Sequence, residues 1–284
     1  MTAVPEKVGV IGGGRMGAGI AQVFATAGAE VVVVEGDAGA ADAAAERVTT
    51  GLRRAAERGK LDTGPEEMRA RVRVGTDPAE LPAGTDLVVE AVPERADLKI
   101  QVLAAAERAV GGHTVLATNT SSLSVTELAA GLQDPGRFLG MHFFNPVPPS
   151  RLVEVVLPAE STEETRERVL GWVRGLDKTA VVVRDSPGFA TSRLGVLLGL
   201  EAIRMLEEGV ADAESIDNAM ELGYRHPMGP LRSTDLVGLD VRLAIAEYLH
   251  GTLGERFAPP RLLRDKVARG ELGRKSGRGF HDWD

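Results

Sequence analysis

Residues 7–28, "KVGVIGGGRMGAGIAQVFATAG", run from a β-branched strand through a cluster of glycines into an Ala-rich helix. Gly12, Gly14 and Gly17 stand at that junction in a G-x-G-x-x-G arrangement. The first glycine permits a tight turn. The second leaves the backbone open to a pyrophosphate, and the third lets the helix pack closely on the strand. Phosphates placed there meet unpaired N–H groups at the positive end of the helix. Gly28 ends the same helix in a left-handed cap. Turn glycines alone are a weak signal, but Glu35 closes the next β-branched run, "EVVVVE". A carboxylate at that place accepts hydrogen bonds from adenosine ribose hydroxyls. It also repels a 2′-phosphate, and Gly36 supplies no compensating cation, so the expected cofactor is NAD rather than NADP.

The pattern that begins there continues. Segments 7–12, 30–35, 85–91, 113–118 and 137–142 read as buried strands, and 15–27, 37–59, 96–110 and 124–131 as Ala-rich amphipathic helices between them. "RLVEVVL" and "TAVVVRD" add two strands around a helix at 162–176. Strands that are apolar throughout, each followed by a helix, form a parallel sheet covered on both faces. Beyond "DSPGF" (185–189) only helical periodicity remains, over 188–209, 212–222, 229–253 and 259–269. The expected fold is α/β: a Rossmann-like, doubly wound, mostly parallel sheet over residues 1–185, then an all-α C-terminal domain over 186–284. The first helix of that second domain is apolar nearly all round its middle, which suits burial in a larger core or in a subunit interface. A homodimer through the helical domain is therefore expected, with the active site in the cleft between the domains.

Composition narrows the chemistry. A formal net charge of −8 over 284 residues argues against nucleic acid or an anionic membrane as partner, because either requires a basic face. The absence of cysteine removes disulfides, thiolate metal sites and a Cys nucleophile. No metal constellation, membrane-length apolar run or signal peptide is read, so a cytoplasmic enzyme is expected.

"HFFNPVP" (142–148) concentrates an imidazole and two phenyl rings in a chain with only 4% Phe, Trp and Tyr, and two prolines stiffen it. His142 stands at the C-terminal end of a strand, the edge of an open α/β sheet where ligands bind. Hydride transfer from an alcohol needs a base for the hydroxyl proton, and imidazole is suited to it. Glu154, in the apolar run "RLVEVVL", is expensive unless paired. Bonded to the other ring nitrogen, it fixes the tautomer and stabilises the imidazolium. His113, His226, His250 and His281 have no partner spacing and read as structural. "TNTSS" (118–122) suits a helix N-cap cluster as well as a ligand contact. Arg53, Arg54, Arg58 and Lys60 could meet the phosphates of an anionic ligand, or form a solvated face with Glu57 pairing Arg53.

Taken together, "GGGRMGAGIAQVFATAG", "DLVVEAVPE", "NTSSLSVTELA", "GMHFFNPVP…LVEVV", "DSPGF", "HPMGP", "DLVGLD" and "GRKSGRGF" resemble the L-3-hydroxyacyl-CoA dehydrogenase family, particularly its short bacterial 3-hydroxybutyryl-CoA dehydrogenase branch. The match runs in order from the first strand to the last residues. The resemblance implies NAD-dependent, reversible oxidation of (S)-3-hydroxyacyl-CoA to 3-oxoacyl-CoA by a dimer, a chemistry used in fatty-acid β-oxidation. It implies His142 as general base and Glu154 as its orienting acid. Ser121 would contact both substrate and nicotinamide, and Glu94, Lys99 and Asn145 would line the nicotinamide side with Asn119 beside them. Arg58 or Lys60 falls where the family contacts coenzyme A. One residue departs: the family's asparagine in "PGF-x-x-N-R" is Ser192 here, a shorter donor at a place that holds the substrate oxygen. Two alternatives remain, a dehydrogenase of free hydroxy acids without coenzyme A, and a catalytically weak NADH-binding protein. Acyl chain length and pathway are not legible.

Overall fold

The computed structural model describes residues 4–61 and 63–283. Those up to Ser186 and those from Pro187 onward form two compact units. In the first, β1 (Lys7–Ile11), β2 (Glu30–Val34), β3 (Val72–Gly75), β4 (Leu87–Glu90), β5 (Val115–Thr118), β6 (Phe138–Phe143), β7 (Leu152–Leu157) and β8 (Thr179–Arg184) make one sheet in the order β3-β2-β1-β4-β5-β6-β7-β8. The order reverses between β1 and β4, the switch point at which doubly wound sheets bind ligands. Helices α1 (Arg15–Thr26), α2 (Ala38–Glu57), α3 (Pro65–Ala70), α4 (Ala96–Ala109), α5 (Val125–Ala129) and α6 (Glu163–Gly175) connect the strands. Val31 to Val34 are all buried, so β2 shows no polar alternation and reads as a continuous apolar run. Helix α1 turns Ile20, Ala21, Phe24 and Ala25 onto the sheet. The Phe24 ring meets Phe143 of β6 edge-on, with centroids 6.4 Å apart. That contact couples the dinucleotide helix to the strand carrying His142.

All neighbouring strands run parallel except β6 and β7. Strand β3 is not anticipated from sequence. Its "VRVG" lies at the sheet edge, paired only with β2, so Arg73 can point to water and the apolar run is broken.

The second unit is helical: α7 (Thr191–Glu207), α8 (Ala213–Tyr224), α9 (Pro230–Val237), α10 (Leu239–Leu253) and α11 (Arg261–Ala268). Val196, Leu200, Ile203, Leu231, Leu249 and Leu263 are buried in its core. The single helix expected over 229–253 is two, because Gly238 takes φ +101° and breaks the ladder. The C-terminal segment is pinned by buried acids. Asp235 accepts from the N–H groups of Phe280 and His281 and from Trp283 Nε1. His281, without a partner in the sequence reading, lies 2.8 Å from Asp217 through Nε2. Among the described residues no helix is long and apolar enough to cross a membrane.

Candidate active site

Antiparallel pairing sets His142 of β6 directly opposite Glu154 of β7. Facing residues of such a pair share one face of the sheet, with Cβ atoms within side-chain reach. His142 Nδ1 lies 2.8 Å from Glu154 Oε2. Glu154 is fully buried, flanked along its strand by Val153, Val155 and Val156, and His142 is 7% exposed. A carboxylate so placed is tolerable only with a close polar partner.

The segment after His142 is held from three sides. Asn119 Oδ1 accepts the Phe143 N–H at 2.8 Å, and the Phe144 ring lies 4.5 Å from the imidazole. The Asn145–Pro146 peptide is cis. Immediately before β8, buried Lys178 donates its ammonium to the carbonyls of Val147, at 2.9 Å, and of Ser150. Burial lowers the Lys178 pKa. Val147 seats on α1 at Gly19, where an added Cβ would stand 2.9 Å from Val147 Cβ. Sequence reasoning identified neither Lys178 nor Gly19. The run "GRMGAG" contained a second glycine function, close approach of the "HFFNPVP" loop, beside the phosphate turn.

A second charged cluster lies at the ends of β4 and β5. Lys99 of α4 is 1% exposed and its ammonium lies 2.7 Å from Glu90 and 3.2 Å from Glu94. Thr118 Oγ1 also donates to Glu90, at 2.6 Å. Burial raises the Glu90 pKa against the opposing pull of Lys99. Glu94 goes the other way: burial raises it, but the Lys99 charge and bonds from Thr120 and Ser121 carry it below the ordinary value. Glu94 Oε1 gathers the N–H groups of Ser121 and Ser122 at 2.9 and 3.1 Å, shaping the "TNTSS" turn. Glu94, Lys99 and Ser121 thus come together, and Asn119 joins them through its N–H to the Glu90 carbonyl. Glu90 itself was missed. The signal lay in plain view, since "LVVE" puts a glutamate on a buried strand just as "LVEVV" does.

At the glycine turn, Gly12 takes φ +92°. A Cβ on Gly17 would fall 1.8 Å from the Gly12 carbonyl oxygen. Gly17→Ala must therefore displace the turn or α1, an overpacking cost of roughly 1–3 kcal/mol. The expected result is a lower melting temperature and at least tenfold weaker NADH binding by fluorescence titration; wild-type values for both would refute the close-packing role. Glu35 Oε1 accepts the Gly13 N–H at 2.7 Å, and Arg47 donates to the Gly13 carbonyl.

The remaining residues are dispersed. Asn145 lines a groove of about 470 Å³ together with Arg15, Arg47, Arg54, Pro146 and Pro148. Arg58 and Lys60 are exposed at the end of α2 and do not line it. Arg53 lies 3.9 Å from Glu66 rather than pairing with Glu57. Ser192 lies in the first turn of α7, in the second unit.

Comparison with known proteins bears on the same residues. Residues 7–186 match the NAD binding domain of 3-hydroxyacyl-CoA dehydrogenase, and 188–283 match that family's C-terminal domain. The chain belongs to the 3-hydroxyacyl-CoA dehydrogenase family. It is 42% identical over 281 residues to a probable 3-hydroxybutyryl-CoA dehydrogenase of Bacillus subtilis, covering 98% of each chain. The crystal structure of Mycobacterium tuberculosis FadB2 superposes with a TM-score of 0.94 at 40% identity, over 99% of this chain and 100% of that one. That of (S)-3-hydroxybutyryl-CoA dehydrogenase PaaH1 from Ralstonia eutropha gives 0.93 at 39%, over 99% of each.

Membership makes the chain an NAD-dependent oxidoreductase, and the turn suits the cofactor. Gly14 caps α1 with no side-chain hydrogen bond, and a Cβ built there meets nothing within 4 Å. The helix start is therefore open to a phosphate, and Glu35 stands beside the turn, bonded to the Gly13 N–H.

Proposed function

We propose that the chain interconverts short-chain (S)-3-hydroxyacyl-CoA and 3-oxoacyl-CoA, with His142 as the general base and Glu154 as the residue that orients it. The observation that carries the reading is the 2.8 Å contact between the imidazole, near the C-terminal end of β6, and the fully buried Glu154 carboxylate of β7. With Nδ1 held by Glu154, proton exchange with substrate is assigned to Nε2. In oxidation, Nε2 takes the proton of the C3 hydroxyl, and Glu154 stabilises the imidazolium that forms. NAD, when bound, supplies the hydride acceptor. On reduction the imidazolium returns the proton to the C3 oxygen. Asn119 and Lys178 hold the backbone that follows His142, so the ring is positioned before substrate arrives.

Ser121 is assigned to both the substrate and the nicotinamide, with Glu94, Lys99, Asn119 and Asn145 on the nicotinamide side. Lys99 acts there through Glu90 and Glu94, since its ammonium is buried against them. For the carrier, the exposed Arg15 and Arg54 beside the "HFFNPVP" loop suit coenzyme A phosphates better than Arg58 and Lys60. Ser192 is assigned to the acyl group. Leu194, Leu197, Leu236, Val237 and Val241 are large apolar residues 37–67% exposed on the helical unit, which supports a homodimer through that unit.

The deciding experiment follows NADH consumption with acetoacetyl-CoA, beside free acetoacetate and NADPH as controls. Rapid oxidation of NADH with the thioester alone is expected. Equal rates with free acetoacetate would transfer the reading to hydroxy acids without a carrier, and NADH binding without turnover would remove the catalytic reading.

A further inference from the structure

Helix α2 brings one cation to the glycine turn. Arg47 Nη1 donates to the Gly13 carbonyl at 3.2 Å, and Glu35 Oε1, just past β2, accepts the Gly13 N–H at 2.7 Å. Gly13 is thus held at both ends by groups of opposite charge. Its carbonyl and the Gly14 N–H belong to one trans peptide, so the two point in opposite directions. A donor fixed on the carbonyl therefore aims the Gly14 N–H away from Arg47. That N–H stands at the N-cap of α1 and takes no partner among the described residues. A cofactor phosphate meets donors of this kind at a helix start.

The same side chain also faces the groove of about 470 Å³ bounded by α1, α2 and the "HFFNPVP" loop, which it lines with Arg15 and Arg54. Glu46 is the one carboxylate on that lining, and the Thr50 hydroxyl donates to it at 3.2 Å. None of the three arginines forms an ion pair among the described residues. An anion in the groove therefore meets an excess of positive charge, in a chain whose formal net charge is −8. A guanidinium carries five N–H donors in a fixed fork, so one arginine can serve the Gly13 carbonyl and a phosphate together. Arg47 is exposed, and an exposed arginine loses much rotamer freedom when it is held to a single acceptor.

We infer that Arg47 is a positioning residue shared by the two ligands, so that cofactor and thioester bind cooperatively. Phosphates of the carrier, seated in the groove, hold the guanidinium against Gly13, and the Gly13–Gly14 peptide is then set for the cofactor. The inference rests on the proposed assignment of this groove to coenzyme A. Cooperativity arises because Arg47 is ordered once and serves both ligands, so whichever binds second loses less freedom. By linkage the effect is reciprocal: the cofactor raises affinity for the carrier by the same factor.

The test is a fluorescence titration of NADH in the wild type, Arg47→Met and Arg47→Lys, each alone and with saturating (S)-3-hydroxybutyryl-CoA. Both ligands are in the reduced form, so no hydride moves during the measurement. The same acyl group on pantetheine, which lacks the carrier's phosphates, is the control. In the wild type the coenzyme A thioester should lower the NADH Kd roughly 5-fold more than the pantetheine thioester does. Arg47→Met should abolish that difference. Arg47→Lys, which can still donate to the Gly13 carbonyl, should retain part of it. No difference between the two thioesters in the wild type overturns the inference, as does a difference that survives in Arg47→Met. Weaker NADH binding in Arg47→Met with the difference intact assigns the arginine to the turn alone, and overturns the sharing. Reduction of acetoacetyl-CoA, measured alongside, separates the two readings. Reduction without coupling removes the inference alone, and coupling without reduction supports it while removing the dehydrogenase reading. A coenzyme A thioester that calorimetry shows not to bind removes both.

Discussion

Replacing His142 with alanine is expected to lower turnover of acetoacetyl-CoA roughly 10²–10⁴-fold, with NADH affinity retained. The loss should fall on kcat because a general base, the role proposed for His142, handles a proton that moves only in the transition state. The glycine turn, to which the cofactor is assigned, keeps its own contact between Gly13 and Glu35. The substitution also removes the Nδ1 partner of a carboxylate that is 0% exposed. A stability cost of about 1–3 kcal/mol, or more for an ionised group, is therefore expected alongside. Glu154→Gln separates the two effects, since it keeps the shape and a hydrogen-bonding side chain but removes the charge that favours the imidazolium. Its turnover should fall with little change in KM. Steady-state rates, with melting temperatures as a folding check, decide the matter. A folded His142→Ala enzyme within a few-fold of the wild-type rate would remove His142 from the role of base.

Lys99→Met should have the largest effect on stability. It leaves Glu90, 0% exposed, without its 2.7 Å ammonium partner, and Glu94 loses its 3.2 Å contact. Breaking a buried pair by removing one member costs about 3–5 kcal/mol, because the remaining charge is stranded. The pH dependence has a definite sign. The Glu90 pKa is already raised by burial, with Lys99 pulling it down. Without Lys99 it rises further, so protonation at lower pH neutralises the stranded charge. A group whose folded pKa exceeds its unfolded value stabilises most below the unfolded value and loses that contribution as pH rises. The deficit of Lys99→Met should therefore shrink as pH falls from 7 toward the carboxylate range. Urea titrations across pH measure it, and a deficit independent of pH would assign the loss to packing instead. Because Glu94 Oε1 holds the Ser121 and Ser122 N–H groups, NADH affinity should fall too.

Much of this architecture was legible before any coordinates. Buried parallel strands advertise themselves, because both faces are apolar and β-branched residues run unbroken, as in Val31 to Val34. The edge strand at Val72–Gly75 escaped because pairing on one side only leaves "VRVG" free to carry an arginine. Residues 229–253 read as one helix because periodicity does not register a φ of +101° at Gly238. Glu154 and Glu90 each stand in an apolar run, "LVEVV" and "LVVE", where a buried acid needs a partner. Lys178 and Gly19 could not be found by pattern, since each acts on a loop distant in sequence.

The sequence by itself determined the doubly wound class, the phosphate turn and the residue types able to move a proton. These follow from local periodicity, from backbone freedom at Gly12 and Gly17, and from side-chain chemistry. The tertiary structure decided which of those groups act on one another. The antiparallel register of β6 and β7, which places His142 across from Glu154, is set by packing on both faces of the sheet. Long-range contacts of this kind are fixed by shape complementarity and buried area across the fold, and a linear pattern of residues does not encode them locally.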